Sequence, residues 1–258
     1  MPMRLQHLLV SSIMVVSLSF LGIICLLWSV IAVPLLLLPG NLGARCGRAG
    51  IGTVFILYAK SLTWMRAYRL DVSALEALHG GPPLVLAPNH PSLIDALLIL
   101  AYERNITCVM KSDLMHNVFL GVGARLARYI RNTPPRSMIH EAIAQLRGGV
   151  MVLLFPEGTR TRQVPINPLS ASVGIIAKHA CVPIQTIIIE QDSPYLSKGW
   201  SVFKRPILPI NYRLRLGQRF DPPTDVRAFT AELDRYFRSV LRDAPQNRWI
   251  EARQDSKE

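Results

Sequence analysis

The chain has 258 residues, half of them hydrophobic, with 29 Lys and Arg against 17 Asp and Glu for a net charge of +12. That length admits one domain of ordinary size, alone or with a membrane segment. The basic excess comes with no helix-turn-helix, ribonucleoprotein-type or zinc-finger pattern, so no nucleic-acid partner is expected and an anionic membrane surface fits the charge better. Cys25, Cys46, Cys108 and Cys181 are scattered without paired spacing, which points to reduced thiols and argues against a disulfide framework or a zinc site.

From Leu8 to Leu38 no residue is charged. Such a run, about 45 Å long if helical, exceeds the roughly 30 Å of a bilayer's hydrocarbon. It is expected to tilt, or to break near Gly22 or Pro34 into a hairpin or re-entrant pair. It is also longer than the apolar part of a cleaved signal peptide. Arg4 stands alone before the run while Arg45, Arg48, Lys60, Arg66 and Arg69 follow it, a bias that puts the main domain on the cytoplasmic face of the membrane. The stretch from Ile51 to Tyr68, carrying Lys60 and Trp64, reads as a helix lying on the membrane surface, with a core helix as the alternative. The expected organisation is an anchor and interfacial helix over 1–69, an α/β domain over 70–245 and a polar, frayed tail over 246–258.

Beyond Asp71 strands and helices alternate. Apolar runs predict strands at Leu84–Ala87, Ile106–Met110, Tyr129–Ile130, Val150–Phe155 and Val182–Ile189. Helices are expected over Ser92–Tyr102, Val118–Leu126, Ser137–Arg147 (closed by Gly148-Gly149) and Pro168–His179. Tyr212, Leu214 and Leu216 alternate with Arg213 and Arg215 in a strand over Ile207–Leu216, read as a sheet edge with one wet face. Val226 to about Arg242 is an amphipathic helix with Phe229, Leu233, Phe237 and Val240 on one side. The fold class is α/β, a mixed sheet flanked by helices, with polar turns gathered at one rim.

Two of those turns carry chemistry. After the first strand comes Asn89-His90-Pro91-Ser92-Leu93-Ile94-Asp95. Residues five apart in one helix point about 140° away from each other. Pro91 disfavours helical geometry at His90, so His90 is expected at the helix mouth, folded back toward Asp95. Asp95 would then fix the imidazole tautomer, leaving the other ring nitrogen to take a proton from a hydroxyl. The second turn is Phe155-Pro156-Glu157-Gly158-Thr159-Arg160, at the end of a buried strand. Its carboxylate, glycine and arginine make a polar rim suited to an anionic, hydroxylated ligand.

Together these stretches resemble the signature of the glycerolipid acyltransferases, the group that includes 1-acylglycerol-3-phosphate acyltransferases. That family shows NHxSxxD and FPEGTRS, and this chain matches both except for Thr161 in place of Ser. Tyr129-Ile130-Arg131-Asn132 and Val182-Pro183-Ile184 resemble two weaker family blocks, with Ile130 where an Asp is common and Gln185 where an apolar residue is usual. Lys111 also sits at a familiar place. The resemblance covers roughly residues 70–215 and implies a membrane-bound O-acyltransferase in phospholipid biosynthesis. In it His90 is general base and Asp95 its orienting partner. Glu157, Gly158 and Thr159 shape the acceptor site, Arg131 and Arg160 hold a phosphate, and Asn89, Ser92 and Lys111 support. No cofactor or metal is implied; the partners are membrane lipids and acyl-CoA or acyl carrier protein as donor substrate. The implied acceptor is a lysophospholipid, foremost 1-acylglycerol-3-phosphate. Ile130 and the unusual stretch after Arg160 keep open another lysolipid, such as a lyso-ornithine lipid, and a non-catalytic lipid-binding protein is the alternative of a different class. The sequence leaves open acyl-chain length, donor type, number of spans and oligomeric state.

Overall fold

The computed structural model describes residues 3–39, 41–201 and 204–254. Two long helices come first, α1 (Met3–Leu35) and α2 (Leu42–Trp64). α1 runs unbroken through Gly22 and carries Pro34 only in its last turn. A short strand β1 (Tyr68–Asp71) follows, then β2 (Val85–Pro88), α3 (Asp95–Tyr102), β3 (Ile106–Met110), α4 (Gly121–Leu126) and β4 (Ile130–Arg131). The chain continues with α5 (Pro135–Arg147), β5 (Met151–Leu153), α6 (Ser172–Ala180), β6 (Ile184–Gln191), β7 (Ile210–Phe220), α7 (Val226–Val240) and α8 (Asn247–Gln254).

The seven strands form one sheet in the order β1-β7-β6-β2-β5-β3-β4. β6 and β7 pair antiparallel, and all other neighbours pair parallel. The mixed α/β sheet expected from the sequence is therefore present, with one revision. β7 is not an edge: β1, unpredicted because it is only four residues long and follows α2 directly, covers it in the register Tyr68↔Ile210. The expected wet face is real, since Ile210, Tyr212 and Leu214 are buried while Asn211 and Arg213 are exposed.

Alternation along the central strands splits the core into two layers. In β2, Leu86 packs with the cluster formed by α2 and α3, including Tyr58, Leu98 and Ile99. Val85 and Ala87 point the other way, into a cluster with Met138, Leu146, Ile176, Phe229 and Phe237 from α5, α6 and α7. That is the period-two signature of a strand buried on both faces. α7 is set by Asp225, whose carboxylate accepts from the backbone N–H groups of Arg227 and Ala228 at 2.8 and 3.0 Å, a side-chain cap for its first turn. The tail is more ordered than its polarity suggests. α8 buries Asn247 and Ile250, while residues 255–258 lie outside the described residues.

α2 buries one face, Ile51, Phe55, Tyr58 and Leu62 among it, and leaves Leu57 and Trp64 exposed. α1 packs on α2 and α4 but shows a long row of exposed apolar side chains, including Val16, Ile23, Leu27 and Val30. Among the described residues it is the one helix long and apolar enough to cross a membrane, over Leu8–Leu35. α2 reaches the α/β body by close backbone approach at Gly47, where an added Cβ would stand 2.5 Å from the Ala127 nitrogen and 2.7 Å from the Leu126 carbonyl carbon. Backbone cannot yield as a flexible side chain can. Gly47→Ala should therefore lower stability by about 1–3 kcal/mol, read as a lower denaturation midpoint in detergent; an unchanged midpoint would mean that α2 does not seat on α4 in this way.

Candidate active site

The parallel strands β2, β3, β5 and β6 end at one rim, and the turns leaving them carry the site. His90 follows β2, Glu157 follows β5, Lys111 follows β3, and the loop after β6 supplies Tyr195 and Leu196. Asn89 fixes the end of β2 to β6: its side chain accepts from the Ile189 N–H at 2.7 Å and donates to the Ile189 carbonyl at 2.9 Å.

His90 and Asp95 meet. Nδ1 of His90 lies 2.7 Å from Asp95 Oδ2. The helix that follows begins at Asp95 rather than Ser92, so Pro91 is not its first residue. Residues 91–94 instead make a turn in which the Asp95 carboxylate reaches back to accept the Ser92 N–H at 2.8 Å. Asp95 Oδ1 accepts from the hydroxyl of Tyr212 on β7. The carboxylate is fully buried and saturated with donors at the N-terminus of α3, where negative charge is favoured. An ionised carboxylate only accepts, so Nδ1 of His90 carries the proton and Nε2 is left basic. The His90 ring stacks on Phe155 with centroids 3.9 Å apart and planes inclined by 23°, which restricts its rotation.

The Glu157 side chain turns inward, not toward the cavity described below. Oε1 accepts the His90 backbone N–H and the Thr161 hydroxyl, both at 2.8 Å, and Oε2 accepts the Asn167 N–H at 3.0 Å. The Thr161 N–H in turn donates to the His90 carbonyl at 2.7 Å. Glu157 and Thr161 thus clamp the backbone of His90 from both sides, and Thr serves where the family pattern has Ser because only a hydroxyl is needed. Gly158 makes the turn possible with φ of +64°, a conformation that other residues adopt at a cost.

The remaining expected residues separate. Arg160 donates to the carbonyls of Leu196 and Ser197 at 2.8 and 3.2 Å, pinning the loop after β6. Thr159 accepts from Lys198 Nζ at 3.0 Å. Lys111 is exposed and paired with Asp113. Ser92 is fully buried, its hydroxyl 3.3 Å from the Tyr195 carbonyl. Arg131 is exposed at the end of the edge strand β4, and its neighbour Asn132, not Arg131 itself, borders the cavity. Phe155, Tyr212, Asn167 and Lys198 were not foreseen. The alternation of β7 marked Tyr212 as inward-facing, but nothing in the sequence linked it to a residue 117 positions away.

His90 stands at a cavity of about 700 Å³ that runs between the sheet and the N-terminal helices. Leu21 and Cys25 of α1, Phe55 of α2 and Leu97 of α3 are among its mostly apolar walls, while Lys111 and Thr159 also border it. Among the described residues no three His, Cys, Asp or Glu side chains gather so as to hold a metal ion.

Burial holds the Glu157 carboxyl above the ordinary glutamate range, opposed by the hydrogen bonds from Asn167, Thr161 and His90. A carboxyl with a raised folded pKa binds more protons folded than unfolded, so its ionisation removes stability as pH rises from the unfolded pKa to the folded one. Glu157→Gln cannot ionise. Across that acid interval the wild-type denaturation midpoint should therefore fall relative to that of Glu157→Gln, and the difference should level off above it. A wild type that gains on the variant with rising pH would mean that the hydrogen bonds outweigh desolvation.

Residues 69–190 match the family model described as Acyltransferase. Over 135 residues the chain is 26% identical to acl-1 of Caenorhabditis elegans, whose assignment as a 1-acyl-sn-glycerol-3-phosphate acyltransferase is itself provisional; the match covers 48% of this chain and 50% of that protein. Over 141 residues it is 24% identical to the 1-acyl-sn-glycerol-3-phosphate acyltransferase of Pseudomonas aeruginosa, covering 52% of this chain and 54% of the other. The chain thus spans about half the length of these relatives. The crystal structure of PlsC, the 1-acyl-sn-glycerophosphate acyltransferase from Thermotoga maritima, superposes with a TM-score of 0.69 over 93% of this chain and 96% of that one at 17% identity, a likeness of fold. The segment that holds His90, Asp95, Glu157 and Arg160 thus matches the acyltransferase family model, and the chain shares the fold of PlsC.

Proposed function

We propose that the protein is a membrane-bound O-acyltransferase that moves a fatty acyl chain from the thioester of acyl-CoA or acyl carrier protein to the free hydroxyl of a lysophospholipid, foremost 1-acylglycerol-3-phosphate, giving phosphatidic acid. The observation that carries this reading is an imidazole held at Nδ1 by a buried carboxylate in the wall of a large apolar cavity. A cavity of that size lies in the range of lipid-sized ligands, and its apolar walls match a hydrocarbon chain.

The acceptor hydroxyl gives its proton to His90 Nε2 as its oxygen attacks the thioester carbonyl. The tetrahedral intermediate then collapses, the carbon–sulfur bond breaks, and the imidazolium returns the proton to the departing thiolate. Asp95 stabilises the imidazolium and keeps Nδ1–H in place. No acyl-enzyme is needed, since the hydroxyl is the nucleophile. The exposed apolar side chains of α1 suit burial in lipid, and the basic charge suits an anionic leaflet on the cytoplasmic side. Both would keep the mouth where a lysolipid arrives from the bilayer and the thioester from the aqueous phase.

One observation favours a second acceptor. Arg160 spends hydrogen bonds on backbone carbonyls and Arg131 stands away from the cavity lining, so the arginines expected to read a glycerol phosphate are only partly free for it. A lysolipid with another head group fits that arrangement.

Purified full-length protein in mixed micelles should transfer a labelled acyl chain to lysophosphatidic acid. His90→Ala should reduce transfer by about a thousandfold or more in a protein that still folds, with a denaturation midpoint lowered by the donor that Asp95 loses, in keeping with loss of a general base. Retention of turnover in that variant would remove His90 from the chemistry. Absolute preference for lysophosphatidic acid across a panel of lysolipids would end the second reading.

A further inference from the structure

Asp95 is held by three donors from two parts of the chain. His90 Nδ1 and the Ser92 N–H both address Oδ2, and they come from the same turn as Asp95 itself. Oδ1 is addressed by the hydroxyl of Tyr212. Tyr212 lies on β7, beyond residues 69–190 that match the family model. Its ring is among the largest fully buried side chains and lies 6.5 Å from that of Tyr68 at an inclination of 58°. Its backbone is fixed on both sides, opposite Leu70 of β1 and Gln191 of β6.

We propose that the Tyr212 hydroxyl is a positioning residue of the acyl-transfer site: by occupying Asp95 Oδ1 it fixes the plane of the carboxylate, and through it the orientation of the His90 imidazole. The inference rests on the acyltransferase reading and adds to it a residue from outside the matched segment.

The physical case is one of direction. The two carboxylate oxygens turn together about the bond to Cβ, and both donors on Oδ2 come from the turn that carries Asp95 and move with it. The donor on Oδ1 instead ties the carboxylate plane to a separate strand paired along both edges. The alternative partners for Oδ1 are poor. Tyr68, whose ring lies against that of Tyr212, has a buried hydroxyl with no hydrogen-bond partner among the described residues. Arg160 acts on Asp95 by charge while its own hydrogen bonds go to Leu196 and Ser197. Glu157 faces the backbone of His90, not Asp95. Burial, with the Asp95 charge adding to it, holds the Tyr212 phenol well above its ordinary pKa, so it stays a donor wherever the enzyme works. A buried hydroxyl kept only for packing would instead be a cost, and Phe would serve better.

The test is Tyr212→Phe in the full-length protein, which keeps the ring and removes the donor. Acyl transfer is measured alongside the downfield proton resonance of His90 Nδ1–H in its bond to Asp95, assigned by its loss in His90→Ala. The expected result is kcat lower by about tenfold, the scale of one hydrogen bond to a charged group, with KM for both substrates unchanged and the Nδ1–H resonance moved. Tyr68→Phe, which removes a hydroxyl that bonds to nothing described, should leave kcat and the resonance as in wild type. Unchanged kcat in Tyr212→Phe, or a lowered kcat with the resonance unmoved, overturns the proposal. If Tyr212→Phe does not fold, 3-fluorotyrosine at position 212 keeps the packing and makes the phenol a stronger donor. The resonance must then move, and an unmoved one is equally fatal. The resonance reports the His90–Asp95 pair whether or not a donor and acceptor are in hand, so a protein that transfers no acyl chain and a Tyr212 that does not position Asp95 are told apart.

Discussion

A carboxylate sealed from water must be surrounded by donors, and in this protein two such groups decide where everything near the site can stand. Asp95 is satisfied by His90, Ser92 and Tyr212, and Glu157 by His90, Thr161 and Asn167. An unpaired buried carboxylate would cost several kcal/mol, so each set of donors is an obligation the fold has to meet. Meeting both requires β2 to lie between β5 and β6, with β7 beyond β6, which is the order the sheet adopts. His90 is the residue common to both sets: one carboxylate grips its ring and the other its backbone.

The cavity follows from a different constraint. α1 and α2 do not merely precede the α/β body. Their side chains, Cys25 and Phe55 among them, complete the cavity wall that the sheet and α3 begin. α1 is tied down beside it by the Ser29 hydroxyl donating to the Phe119 carbonyl at 2.9 Å, and the aromatic side chain of Phe119 borders the cavity too. α1 thus turns an exposed apolar face outward and lines the cavity with its inner face.

Much of this was legible from residue patterns, and the exceptions have physical causes. Strands buried on both faces announce themselves as unbroken apolar runs, so β2, β3, β5 and β6 fall within about two residues of expectation. β1 escaped because four residues after a helix have no periodicity to read. The start of α3 was misplaced because Pro91 is compatible with a first helical turn, whereas the Asp95 carboxylate bonding back to Ser92 makes residues 91–94 a turn of their own. The meeting of His90 and Asp95 was deducible from the stiffness of Pro91. That Glu157 points inward was not, because a glutamate at a strand's end has the same sequence whether it faces a ligand or the backbone behind it. Tyr212 shows the limit most clearly. Alternation can say that a side chain is buried, but which of many buried groups it touches depends on strand order, and strand order is a property of the whole sheet.

Sequestering the two carboxylates has an electrical consequence at the mouth of the cavity. Both acids in the signature motifs are turned inward, so the groups left at the rim are mainly cationic. Lys198 is joined to Thr159 there, and its pKa is lowered by partial desolvation and then by Arg162, Arg160 and Lys111. Cations near enough to lower the Lys198 pKa are near enough to sum their fields, and a low-dielectric cleft focuses that sum on whatever approaches. The Arg160 guanidinium contributes although two of its hydrogen bonds are spent on Leu196 and Ser197, because charge acts beyond the reach of a hydrogen bond. Holding that loop in place is also what brings Lys198 to the rim. The rim therefore concentrates positive charge through several modest contributions, and replacing any single cation would weaken that field without reversing it.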